Sequence, residues 1–239
     1  MSHFTVGVIL DIRIPANYHD QIENLMEPFS EHIDVPEYNK TCWCIENNAY
    51  KRRNKGVEKV YGKWEMFRLK YDEIPESERP VWSEYVAPYL ELEKELYEQA
   101  LDEVAPDEDC EDCGGSGIRQ TAYNPNSKWD WYVVGGRWDG YLTQNRQYSE
   151  NGFNFGEKHH QIDNNTVSVS DYLARQNTED FGLFAYVTPT GEWVERGEMG
   201  WWAVVSNEKD GSDWHQEQIN LLERYNDGNY IIVGLDCHI

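Results

Sequence analysis

Residues 229–237, Asn-Tyr-Ile-Ile-Val-Gly-Leu-Asp-Cys (NYIIVGLDC), are a run of β-branched and apolar side chains just after a turn signal at Asp227-Gly228. A run of this length bounded by turn residues reads as a buried strand. Working outward, residues 212–225 open on Ser212 and Asp213 and carry Trp214, Ile219, Leu221, Leu222 and Tyr225, a helical pattern. Residues 200–206 (GWWAVVS) read as another strand, and 182–195 (GLFAYVTPTGEWVE) as a hairpin around Pro189-Thr190-Gly191. Residues 168–176 read as a short helix with Ser170 as N-cap. At the other end, 3–10 (HFTVGVIL) is a second buried strand. It is followed over 17–30 by an amphipathic helix bearing Ile22, Leu25, Met26 and Phe29. Strand–helix at one end and strand–helix–strand at the other predict an α+β fold, an antiparallel sheet with helices packed on one face.

The middle of the chain is different. Residues 51–70 hold eight Lys/Arg against Glu58 and Glu65, with Tyr61, Trp64 and Phe67 interleaved at spacing three. Residues 71–112 reverse the sign, with sixteen Asp/Glu against Arg79 and Lys94. Within them, 82–104 carries Val86, Leu90, Tyr97, Leu101 and Val104 at helical spacing, the longest helix, with Pro88 suited to its first turn. The expected organisation is a core domain from 1–40 and 114–239, interrupted by a helical, charge-segregated insertion at 41–113.

At 239 residues the chain is long enough to bury a core without disulfides. Its net charge of −23 argues against general nucleic-acid binding and against anionic membranes, both of which need a positive footprint. An acidic surface either solvates the protein or mimics nucleic acid to a basic partner. The start MSHFTVGVIL has no basic n-region, and no apolar run approaches the roughly 20 residues of a membrane span. Five clustered cysteines fit a reduced, cytoplasmic chain better than a disulfide scaffold.

Four constellations carry chemistry. Cys110-Glu-Asp-Cys113-Gly-Gly-Ser-Gly is a zinc-knuckle half-site, because its glycines let backbone amides turn toward thiolates. Cys42 and Cys44 supply the second pair for a structural zinc, unless all four are simply loop thiols. Lys128–Tyr141 (KWDWYVVGGRWDGY) combines Trp129, Trp131 and Trp138 with Gly135-Gly136 and Arg137. Indole faces stack on bases, and a guanidinium with exposed glycine amides holds phosphate. The plainer reading is a strand with core indoles and a Gly-Gly bulge. Arg196-Gly-Glu-Met-Gly-Trp201-Trp202 offers a second arginine and two more indoles, an expected opposite wall of that pocket. Finally, Asp236 and His238 share one strand face near the end and His3 lies near the start, a set able to bind a metal or to act as acid and base.

MSHFTV at the start, YNPNSKWDWYVVGGRWDGY at 123–141, ERGEMGWW at 195–202 and DCHI at the end resemble a family of bacteriophage proteins. The resemblance covers most of the chain outside 45–110 and carries over no catalytic residue. It implies an accessory protein expressed in the cytoplasm of an infected bacterium, with countering host defence as one expected role. The leading expectation is a protein, monomeric or homo-oligomeric, that sequesters a small phosphorylated nucleotide-type ligand in the Trp/Arg/Gly pocket. The enzyme alternative is a metal-dependent phosphodiesterase using His3, Asp236 and His238. The interaction alternative is an acidic mimic that blocks a host defence protein.

Overall fold

The structure, a computed structural model, describes residues 2–145, 162–178, 181–200 and 204–239. The chain divides into two compact units, residues 1–35 with 123–239 and residues 36–122. The insertion therefore begins at 36 rather than 41 and ends at 122 rather than 113. The reason is a strand pair that the sequence reading had not recognised, β2 (Asp34–Thr41) with β3 (Ile118–Tyr123), which carries the chain out and back.

The first unit is built on β1 (His3–Asp11), which runs down the middle of a six-stranded sheet. The remaining strands are β4 (Trp131–Val134), β5 (Thr166–Ser168), β6 (Ala185–Val187), β7 (Trp193–Glu195) and β10 (Tyr230–His238). Their order is β4-β10-β1-β6-β7, with β5 also on β10. The strand that decides the fold, β10, pairs antiparallel with β1 along its whole length, from His3↔His238 to Asp11↔Tyr230. Its outer edge is shared, β4 pairing with Leu235–His238 and β5 with Ile231–Val233. A small separate pair, β8 (Glu198–Met199) and β9 (Val205–Ser206), stands apart from this sheet.

The α+β class and the helical insertion expected from sequence are what the structure has. Two details differ. The sheet is mixed, since β1 and β6 are parallel. Helices also lie on both faces rather than one. Phe4, Val6, Val8 and Leu10 of β1 join Val233, Leu235 and Cys237 of β10 in one core with Ile22 and Met26 of α1 (Tyr18–Met26). On the other face Ile9 and Ile232 pack with Tyr172 and Leu173 of α5 (Val169–Leu173) and with Trp214, Leu221 and Leu222 of α6 (Gly211–Glu223). Strands buried on both faces read as continuous apolar runs, which is why HFTVGVIL shows no alternation. Gly7 makes room for this second core: a Cβ there would lie 2.6 Å from Leu183 Cδ1.

Caps fall close to their expected places. Asn17 accepts from the amide of Asp20 at the start of α1. The cap of α5 is Ser168 rather than Ser170; α6 is capped by Asp210 and begins at Gly211, one residue before the expected start at 212.

The second unit contains α2 (Trp43–Tyr61), α3 (Trp64–Asp72) and α4 (Trp82–Glu103). The basic stretch is two helices rather than one face of a single helix, because Gly62 takes φ +80 and caps α2. Pro88 lies inside α4, which starts at Trp82. Phe67 meets Tyr85 and Tyr89 at ring-centroid distances of 4.7 and 4.8 Å, fastening α3 to α4. A Cβ on Gly56 would stand 2.6 Å from Leu96 Cδ1, so the glycine lets α2 and α4 approach closely. No described helix is long and apolar enough to cross a membrane.

Candidate active site and candidate metal centre

The β1–β10 register places two histidines face to face. His3 opposes His238 and Thr5 opposes Asp236, so His3, Asp236 and His238 project from one face of the sheet. This is the face that α5 and α6 cover farther along. His3 Nδ1 lies 2.8 Å from Asp236 Oδ1 across the diagonal of the ladder. His238 Nδ1 lies 2.7 and 2.8 Å from the two carboxylate oxygens of Asp130. The two rings meet edge to face with centroids 4.9 Å apart. An ionised carboxylate only accepts, so each Nδ1 donates and each neutral ring keeps its lone pair on Nε2.

The carboxylates are themselves held. Asp236 is 2% exposed, and its second oxygen accepts the backbone N–H of Arg137 at 2.9 Å. Asp130 accepts the amide of Trp131 at 2.7 Å, and its own amide donates to the carbonyl of His238 at 3.0 Å. These carboxylates orient the imidazoles. His238 is 8% exposed, and its Nε2 is buried with no hydrogen-bond partner among the described residues. Leaving a buried polar atom without a partner costs about 1–3 kcal/mol.

The Trp-rich segment contributes to this site in part. Trp131 is 41% exposed and stacks on His238 at 5.0 Å with a 13° interplanar angle. Trp129 is structural instead: its Nε1 donates to the Met26 carbonyl at 3.1 Å and its ring packs on the α1 core. An extended strand over 129–132 would put Trp129 and Trp131 on one side, but β4 starts only at Trp131 and the two indoles part. Gly135 and Gly136 take φ +73 and +54. A Cβ on Gly136 would stand 2.5 Å from Asp236 Cβ, and one on Gly135 would overlap the Asn165 side chain. The Gly135 amide donates to the Gly234 carbonyl at 2.9 Å. The glycines thus let the turn close over Asp236; the Gly135 amide, expected on phosphate, is spent on the sheet. Arg137 is exposed and Trp138 half-buried in the turn that follows.

Arg196 follows β7, at the sheet edge opposite β4, and pairs with Glu208 at 3.0 Å. Four strand spacings, about 19 Å, separate those edges. The stretch returns to the start of β1 at Gly200, whose carbonyl accepts from Ser2 Oγ at 3.3 Å. Trp201 and Trp202 lie outside the described residues. Asp130 is the member that sequence reasoning missed. The signal was available, a carboxylate just before a short strand in a chain that also carries Asp236-Cys237-His238, but it required the β4–β10 pairing.

The second unit holds the four predicted metal-ligating cysteines. The sulfurs of Cys42, Cys44, Cys110 and Cys113 all lie within 4.8 Å of one another, a group that can hold a metal ion such as zinc. Cys42 and Cys44 stand at the N-terminus of α2, and Cys110 and Cys113 follow α4. The Cys42 amide donates to the Gly117 carbonyl at 2.9 Å, tying the two halves together. The thiols differ in how they hold protons. Although burial raises it, the Gly117 amide and the other three sulfurs bring the Cys113 thiol down to about 7. Against the lowering effect of the Cys44 amide, burial and the same neighbours push Cys42 up to about 12. Cys237, the fifth free cysteine, is buried in the sheet, and that burial raises its thiol well above the usual range.

Comparison with known proteins finds no match: no family model, no curated protein and no solved structure.

Proposed function

We propose that the His3–His238 face is an acid–base site acting on a phosphodiester of a small nucleotide-type ligand. The observation that carries this reading is the pair of carboxylate-oriented imidazoles with centroids 4.9 Å apart. Each ring is held at Nδ1 by its own carboxylate, so the two can divide the work, one acting as base and the other as acid. The neutral Nε2 takes a proton from the attacking water or hydroxyl as its oxygen bonds to phosphorus. The imidazolium gives its proton to the departing oxygen as the old P–O bond breaks. Trp131 offers an exposed indole for a base, and Arg137, whose backbone N–H is donated to Asp236, is the nearest arginine in sequence for phosphate.

The set matches the enzyme alternative of the sequence in its residues, but Asp236 is engaged as an orienting group, so the reading assigns no metal to it. The resemblance to bacteriophage proteins suggests the first ligands to test, cyclic and ADP-ribose-type nucleotides, with an accessory role in an infected bacterium as the setting. Purified protein is incubated with these, and products are separated by chromatography and mass spectrometry. His3→Ala and His238→Ala are expected to lower turnover by about 10²- to 10⁴-fold with little change in ligand affinity. Recovery of the bound ligand intact from the wild type would sink the catalytic reading in favour of sequestration; binding of none of them would sink both.

A further inference from the structure

The second unit carries an inference that rests on other residues. We infer that Cys42, Cys44, Cys110 and Cys113 bind one zinc ion as a tetrathiolate, and that this ion is the staple holding the insertion together at its β2–β3 end.

Three observations lead there. The first is size. Four sulfurs placed tetrahedrally at about 2.3 Å from zinc stand about 3.8 Å from one another. The Cys42–Cys110 and Cys44–Cys113 sulfurs are 3.6 and 3.7 Å apart. That spacing is nearly twice a disulfide bond and suits a single ion.

The second is charge. Zinc with four thiolates carries a net −2 in an already acidic chain, so the sulfurs need donors. The backbone N–H groups of Cys44, Asp107 and Gly117 favour the thiolate forms of Cys42, Cys44 and Cys113 respectively. Gly114, Gly115 and Gly117 all take positive φ, from +56 to +82, and fold the knuckle back on itself, the Gly114 amide donating to the Cys110 carbonyl at 2.7 Å. Ser116 Oγ closes the same turn on the Cys113 carbonyl at 2.7 Å.

The third is need. The apolar cluster joining α2, α3 and α4 has only four fully buried members, Val57, Phe67, Val86 and Tyr89. It sits at the far end of α2 from Cys42 and Cys44. Near the thiols only Ile45 and Ala49 are buried on that helix. A unit this thinly cored ordinarily depends on a metal or cross-links. Binding displaces the thiol protons, and because the site spans residues 42 to 113 its binding free energy is folding free energy for the loop it closes.

The test uses the full chain, expressed with zinc and purified under reducing conditions without chelator. Elemental analysis is expected to give about one zinc per chain and negligible iron. Replacement by cobalt is expected to give the intense sulfur-to-metal absorption of a tetrathiolate. Hydrogen exchange after chelation should show amides at 42–49 and 107–118 exchanging at least roughly 100-fold faster, with the β1 and β10 amides unchanged. Cys44→Ser and Cys113→Ser should each abolish the cobalt absorption, and His238→Ala should leave it intact. The inference is overturned by iron in place of zinc, by two disulfides in the intact mass, or by reduced metal-free protein that takes up neither zinc nor cobalt in a competition titration. Bound zinc with unchanged exchange at 42–49 and 107–118 would overturn the structural role.

Discussion

His3 and His238, direct partners across the β1–β10 ladder, lean on different carboxylates, Asp236 for one and Asp130 for the other. If the two rings divide acid and base work, each depends on the carboxylate that fixes its tautomer. Asp236→Asn and Asp130→Asn leave each ring in place but remove its anionic acceptor. Each is expected to lower turnover by about 10- to 100-fold with little loss of stability. Rates unchanged in both variants across the pH range would refute the pairing.

Gly136 is where the turn after β4 rests on Asp236. Alanine there combines a φ of +54 with a Cβ 2.5 Å from the Asp236 side chain. A destabilisation of about 2–4 kcal/mol is expected, read as a lowered denaturation midpoint, with loss of activity as Asp236 is displaced. Gly114→Ala is the control: φ is +56 but a Cβ meets open space, so the expected cost is nearer 1 kcal/mol.

Trp129 and Trp131 should separate cleanly under alanine substitution. Trp131→Ala removes an exposed indole and is expected to weaken nucleotide binding by about 10- to 100-fold with little loss of stability. Trp129→Ala empties a place in the α1 core and orphans the Met26 carbonyl. It is expected to cost about 3 kcal/mol in chemical denaturation while leaving ligand affinity intact in the folded fraction.

Gln218, 2% exposed in α6, accepts from the Leu183 amide and the Tyr186 hydroxyl, each at 3.0 Å. Gln218→Leu keeps the volume and strands both buried donors. A loss of about 3 kcal/mol is expected, and Gln218→Glu, which keeps an acceptor, is expected to lose less near the acid end of the stability range. Equal stability of Gln218→Leu and the wild type would show that the two donors find water.

What could be read from the sequence follows the range of the forces involved. β1, β10, α1 and α6 announce themselves through local apolar periodicity, and their ends through capping side chains. The pairing of CxC with CxxC was legible as chemistry, because few residue types ligate a metal and four cysteines stood in two close pairs. The His3, Asp236 and His238 set was legible as a face of one strand and a residue near the other. The role of Asp130 was not, since it depends on β4 pairing with β10 in one register. The Gly135-Gly136 motif was legible as special backbone, yet its purpose is close packing on Asp236. Sequence shows that a glycine is needed somewhere, and only packing shows against what. The β2–β3 pair was missed because its strands are half-exposed and 76 residues lie between Thr41 and Ile118.

Asn124 closes the first unit on itself. Buried to 2% exposure, its side-chain amide donates to the carbonyls of Pro28 and Ser30 at 2.8 and 2.9 Å, while Lys128 N–H donates to the Phe29 carbonyl. The chain therefore leaves the core and re-enters it at a clasp made entirely from core residues. Residues 36–122 are thus a parenthesis in the chain: the points where it opens and shuts are fixed by contacts within the first unit alone, and none of the residues of the histidine face comes from inside it.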